Sequence, residues 1–321
     1  MLTRRHATLL ALTPTFALAW NAEGHRQVAD IAWTRLTPKT KAAVMRILAS
    51  ADKQFAANTD EKAARDAFRN LSVMPDVIKG DKGTAYEPYI DDFNRTWLSN
   101  PNPNDREQER CKTWHYYDVP IRFTGKEPAV SESNALNAIA KAQSELRTMS
   151  AKGDSSLLAS WWLGWIEHIA GDLHQPLHCV SNYETNHEEG DAGGNGIKLG
   201  VNGRNGRPLA LHAYWDEGID HAKAADGDAR GATTFESTTQ RWSKESKILP
   251  ATVRVRNQKP VEWIKEGAKL ADKFVYAPDV KSGYVPTPAY EQTHQDLCRR
   301  QAVLGGFRLA EMLNNVFDAR R

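Results

Sequence analysis

Cysteine is scarce in this 321-residue chain, which holds only Cys111, Cys179 and Cys298. Three thiols cannot frame a small disulfide-stapled fold, so a hydrophobic core must hold the chain, and at this length it can. The odd count sets the expectation of one disulfide and one free thiol in an oxidising compartment, with the pairing open. Long apolar runs are missing too. A membrane-spanning helix needs about 20 apolar residues, and the best stretch, Leu9 to Ala19, is shorter and interrupted by Pro14. Net charge is nearly absent, at +2 from 42 basic and 40 acidic residues. That balance excludes a bulk-field binder of polyanions, so any hold on one must come from a local site. Internal repeats, low-complexity tracts and obvious linkers are also lacking. So are the His-Glu-x-x-His of zinc proteases and the adjacent His-Asp pair of HD-type phosphohydrolases.

What is present begins with a targeting segment. Arg4 and Arg5 form a basic start, Leu9 to Ala19 is apolar, and Ala17-Leu18-Ala19 is a small-x-small cleavage sequence. Residues 1–19 therefore read as a signal peptide, leaving 20–321 as the mature domain in the periplasm or outside the cell. Removing the segment takes two arginines and no acid, so the formal charge falls to zero.

The mature chain reads as all-α, a single mainly helical domain. Helical spacing of apolar residues runs from Gly24 to Ser50 with a break at Thr37-Pro38, then from Asp60 to Lys79. Lys82 to Thr113 is polar and rich in Pro, Asn and Asp, hence mostly loop. Further helices are expected over Ser131–Lys152, Ser156–Asp172, Leu211–Asp220, Phe235–Ile248, Pro260–Val275 and Tyr290–Phe317. The helix ending at Asp172 is apolar enough to be the central one. A short hairpin is expected around Ile197 to Val201 within a Gly/Asn-rich stretch.

Two pairs of identical spacing, His168/Asp172 and His212/Asp216, carry the chemistry. Residues four apart on a helix stand one above the other, with Cβ atoms roughly 6 Å apart. Each pair thus presents an imidazole and a carboxylate to one point, the donor types that hold zinc in catalytic sites. His178 follows Asp172 after Pro176 has ended the helix. A lone histidine is most often an ordinary hydrogen-bonding core residue, but several donors at one helix end are not. Asp76, Lys79 and the aromatic-flanked His115 are further candidates, as is the tight turn Asp191 to Gly196 before His212. Cleavage after Ala19 would free the Trp20 amino group, whose unperturbed pKa of about 7.7 to 8.0 lets it bind metal, with His25 one short turn away.

Taken in order, these motifs resemble the zinc-dependent, single-strand-preferring nucleases with 3′-nucleotidase activity, the S1/P1 type. The shared elements are Trp20 with His25, an Asp-bearing segment at Asp76, His115 among aromatics, His168-x3-Asp172-x5-His178, a Gly-Gly-Asn turn and His212-x3-Asp216. The resemblance implies three Zn²⁺. Asp76, His115, His168 and Asp172 would hold the first, and Trp20 (amine and carbonyl), His25 and the bridging Asp172 the second. His178, His212 and Asp216 would hold the third. Asp76, Lys79 and Asp172 would be catalytic. Lys79 stands where the family usually has an arginine beside the phosphate, a point charge in place of a fork. Tyr116 and Asp118 match the family's nucleobase pocket, while Ala210 replaces a common asparagine. The expected substrates are single-stranded DNA, RNA and 3′-nucleotides, cleaved by zinc-held hydroxide to 5′-nucleotides. No obligate protein partner, no stable membrane association and a monomeric state are expected.

The nearest alternative is a zinc phospholipase C. Such enzymes have a longer gap between the N-terminal Trp and the first His, and a Glu as final ligand; this chain has the short gap and Asp216. A zinc-storage or zinc-stabilised binding protein is the alternative from another class, and its metal shells would be closed.

Overall fold

The computed structural model describes residues 20–53, 56, 60–80, 83–90, 109–184, 189–227, 234–245 and 259–318. The expected signal peptide, most of the expected loop 82–113, and the end of the expected helix over 235–248 lie outside the described residues. Eleven α-helices are needed to place the site: α1 Ala22–Trp33, α2 Pro38–Ala51, α3 Glu61–Leu71, α4 Met74–Gly80, α5 Ala135–Ala151, α6 Leu157–Asp172, α7 Leu211–Asp216, α8 Gly218–Ala225, α9 Phe235–Lys244, α10 Pro260–Leu270 and α11 Pro288–Phe317. The all-α reading is correct.

Helix α6 organises the rest. Every residue from Ala159 to Asp172 is buried, as a helix apolar on all sides demands. It packs against α5, α11, α2, α1 and α4, and Trp161, Trp165, Ile166 and Ile169 lie at its centre with no exposure. Helix α1 is held beside it by packing on α11 and by buried charge. Asp30 accepts both arms of Arg65 (2.6 and 2.7 Å) and Arg69 (2.8 Å), and Thr239 of α9 donates to it as well. Among the described residues no helix is long and apolar enough to cross a membrane.

The boundaries follow local chemistry. The break expected at Thr37-Pro38 is the start of α2, where the Thr37 side chain caps Thr40 N–H and Pro38 takes a position that needs no donor. Two expected helices are each divided. Asp60 to Lys79 becomes α3 and α4, since Pro75 has no N–H to continue the ladder and the Ser72 carbonyl is diverted to a side chain of α6. Leu211 to Asp220 becomes α7 and α8, broken at Glu217. Helix α5 starts at an Asn134 cap, because the Ser131 carbonyl receives the Asn134 amide instead.

Two small sheets complete the fold. The hairpin expected near 197–201 is present as β3 (Lys198–Asn202) antiparallel to β4 (Pro208–Ala210). A second pair was not anticipated: β1 (Val119–Ile121) lies parallel to β2 (Val180–Asn182), with Val119 opposite Val180. It fastens the segment after His115 to the segment after His178.

The expected disulfide is corrected. Cys111, Cys179 and Cys298 are all buried and none forms a disulfide. Cys179 and Cys298 belong to different packing neighbourhoods, the first against Gly267 of α10 and the second against Gly218 of α8.

Candidate metal centre

Three donor groups converge at the C-terminal end of α6. His25, His168 and Asp172 form one; Asp76, His115 and His168 a second; His178, His212 and Asp216 a third. Within each group the ligand atoms lie within 4.8 Å of one another. The i,i+4 spacing on α6 places His168 Nε2 3.3 Å from Asp172 Oδ2. The same spacing on α7 places His212 Nε2 3.5 Å from Asp216 Oδ2.

Asp172 divides its two oxygens between the first two groups. Oδ1 lies 3.3 Å from His25 Nε2, while Oδ2 lies 3.2 Å from His115 Nδ1. Asp76 closes the second group from α4, at 3.6 Å from His168 and 3.8 Å from His115. His25 lies flat on His168, ring centroids 3.7 Å apart. The same ring meets Gly171, where an added Cβ would stand 2.7 Å from Nδ1. Glycine is required there by close approach.

Backbone carbonyls fix three of the rings. His168 Nδ1 donates to Ser72 O (2.8 Å), His178 Nδ1 to His115 O (2.8 Å) and His212 Nδ1 to Gly193 O (2.6 Å). Each bond spends the Nδ1 proton and leaves a lone pair on Nε2, the usual outer support of a metal-binding imidazole. Gly193 reaches this place only through a left-handed backbone, φ 61°. These carbonyls carry no side-chain signature and were not foreseen.

A cation fits this arrangement. His178 Nε2 and His212 Nε2 face each other at 3.0 Å with both protons already committed on Nδ1, so two lone pairs converge, a contact that positive charge between them relieves. Buried atoms that face the groups without a hydrogen-bond partner point the same way: His25 Nε2, Asp172 Oδ1 and Asp216 Oδ2.

Electrostatics agree with the geometry. Burial, only partly offset by Asp76, lowers His25 to about 4. Burial also holds His115 and His168 well below the usual imidazole range and lowers His178 and His212. All five are therefore neutral at pH 7, the ligating form. Burial drives Asp172 far up and raises Asp216 to about 6 despite His212. For Asp76 burial again pushes up, but Lys79, His168 and His25 outweigh it and bring the carboxyl to about 2.

The remaining candidates are distributed around this centre. Trp20 is fully buried; its indole donates to Gly171 O at 2.8 Å, and Asn21 N–H donates to Asp216 O at 3.2 Å. The segment at Trp20 and Asn21 is thus tied to both α6 and α7. Lys79 Nζ donates to Asp76 Oδ1 at 2.8 Å and is largely covered. Tyr116 and Asp118 are half-buried on the approach to β1, and Tyr117 N–H donates to His178 O. Burial, then the neighbouring Asp191, raises Asp118 to about 7. Asp191 itself is bonded by Asn182 N–H and the Tyr276 hydroxyl, which anchors the turn leading to Gly193.

A helical scaffold brings buried imidazoles and carboxylates together, at the end of its central helix, in three groups that could hold metal. The chain belongs to the S1/P1 nuclease family, whose model matches residues 20–318; it is a nuclease. It is similar to Endonuclease 4 of Arabidopsis thaliana, 23% identical over 332 residues, covering 98% of this chain and 95% of that protein. Endonuclease 2 of the same plant is 24% identical over 304 residues, covering 93% and 90%. The S1/P1 family is zinc-dependent in general.

Proposed function

We propose that this protein is an exported trinuclear-zinc phosphodiesterase. It cleaves single-stranded DNA and RNA to 5′-nucleotides and removes phosphate from 3′-nucleotides. The observation that carries the reading is the set of three donor groups with Asp172 turned between two of them. Trp20, His25, Asp76, His115, His168, Asp172, His178, His212 and Asp216 would hold the metal. Zinc held there supplies Lewis acidity, acidifying water and neutralising charge on the phosphate and the departing 3′-oxygen.

The chain's own residues prepare that chemistry. Burial keeps the imidazoles unprotonated, and the carbonyls of Ser72, His115 and Gly193 keep their lone pairs aimed inward. Lys79 holds Asp76 ionised and adds a positive charge beside the place a phosphate would occupy. Tyr116 offers a ring for an unpaired base, an interaction that contributes about 1 to 3 kcal/mol and tolerates sequence; Asp118 meets the base edge. Selection of single strands follows, since a paired base cannot leave its stack without cost. Family membership and endonuclease relatives favour this reading over phospholipase C.

Metal content, N-terminal residue and substrate range of the exported protein test it together. Three zinc ions per chain, Trp20 at the N-terminus and hydrolysis of single-stranded DNA, RNA and 3′-AMP are expected, with phosphatidylcholine untouched. Zinc without phosphodiesterase turnover would leave a metal-binding protein and sink the proposal.

A further inference from the structure

Gln175 is fully buried in the turn that joins Asp172 to His178, and each of its polar groups has a partner. Its N–H donates to Asp172 O (2.9 Å) and its C=O accepts from His178 N–H (3.0 Å). In the side chain, Oε1 accepts from Leu177 N–H at 2.6 Å and Nε2 donates to Asp216 Oδ1 at 2.7 Å. The amide cannot be turned over. Leu177 N–H only donates, so oxygen must face it and the NH₂ must face Asp216. The other carboxylate oxygen of Asp216, Oδ2, is buried without a hydrogen-bond partner and lies on the His212 side of the group.

We propose that Gln175 is a positioning residue for the His178/His212/Asp216 group: it occupies Asp216 Oδ1, which lies 3.7 Å from His178 Nε2, and leaves Oδ2, 3.5 Å from His212 Nε2 and without a hydrogen-bond partner, as the oxygen turned to a metal. A carboxylate free to rotate could present either oxygen or both. The amide bond removes that freedom and also fixes the turn from which His178 projects. This role rests on reading the group as a zinc site.

Two substitutions separate the carboxylate role from the turn role. Gln175→Glu keeps an acceptor for Leu177 N–H at the same size but sets an acceptor against Asp216 Oδ1. Gln175→Met removes both bonds. Zinc binding by the full mature chain is titrated in buffered zinc, with His212→Ala marking the ion that belongs to this group. Gln175→Glu is expected to weaken that one ion about 10- to 100-fold, the usual cost of losing an outer-shell partner, with an unchanged helical circular-dichroism signal. Gln175→Met loses the same ion. If Gln175→Glu binds zinc like the wild type while Gln175→Met does not, Gln175 only caps a turn and the proposal is overturned. Release of every ion together by Gln175→Glu overturns it as well. If His212→Ala keeps the full complement, the zinc reading of the group has failed, and the inference falls with it.

Discussion

At the scale of single residues, Asp172 is the point where the site is most vulnerable. It is fully buried, its Oδ1 has no hydrogen-bond partner, and its two oxygens face different imidazoles. Asp172→Asn keeps the volume but removes the charge and one of the two acceptors. Both the His25 group and the His115 group should then lose metal, measured as a fall of two zinc ions per chain with the His178 group still filled. A variant that kept all its zinc and its rate would contradict the bridging role. His168/Asp172 and His212/Asp216 were readable in the sequence because side-chain donors at i,i+4 announce a shared face, whereas His25, Asp76, His115 and His178 were grouped with them only through the family pattern. Ser72, His115 and Gly193 act through backbone oxygens that any residue carries, so no sequence pattern could reveal them.

At the scale of elements, the close fit of α1 on α6 is open to test at Gly171. Alanine would improve helix propensity by about 1 kcal/mol. Its Cβ, however, would stand 2.7 Å from His25 Nδ1, and that ring is already stacked on His168 with centroids 3.7 Å apart. Overpacking of this kind costs about 1 to 3 kcal/mol, so the clash should win. Gly171→Ala is expected to lower the melting temperature and to weaken metal binding at the His25 group; a more stable variant with full zinc would refute the packing argument. Helix existence was legible from spacing throughout. Two divisions were not, because they depend on neighbours: Ser72 turns its carbonyl to α6, and Glu217 marks a change of direction between α7 and α8. The parallel pairing of β1 with β2 was hidden for a related reason. Each strand is only three residues long, and their partnership spans about sixty positions of sequence.

At the scale of the whole molecule, acid should unfold the metal-free protein early. Burial lowers His25, His115, His168, His174, His178, His212 and His294 in the folded state. Below the unfolded value of about 6.5, the unfolded chain therefore takes up protons that the folded chain refuses, and stability falls with pH. The buried carboxyls Asp118, Glu167, Asp172 and Asp216 are raised and act in the opposite sense. The histidines outnumber them, so the chelated protein should melt at a lower temperature at pH 5 than at pH 7. Zinc should raise the pH 7 melting temperature further, since bound metal stabilises the folded state alone. Equal melting temperatures at the two pH values would mean that the imidazoles are not the controlling groups. Cysteine shows the limit of composition at this scale: an odd count in a chain read as exported suggested a bridge, yet burial in separate neighbourhoods keeps Cys179 and Cys298 as thiols.

Because α6 has no face toward water from Ala159 to Asp172, it also has no neutral ground for evolution. A change of side-chain volume along it is felt by a neighbour on α1, α2, α3, α4, α5 or α11. The helix bearing His168 and Asp172 is therefore expected to tolerate a change of side-chain volume only together with a change in the partners around it.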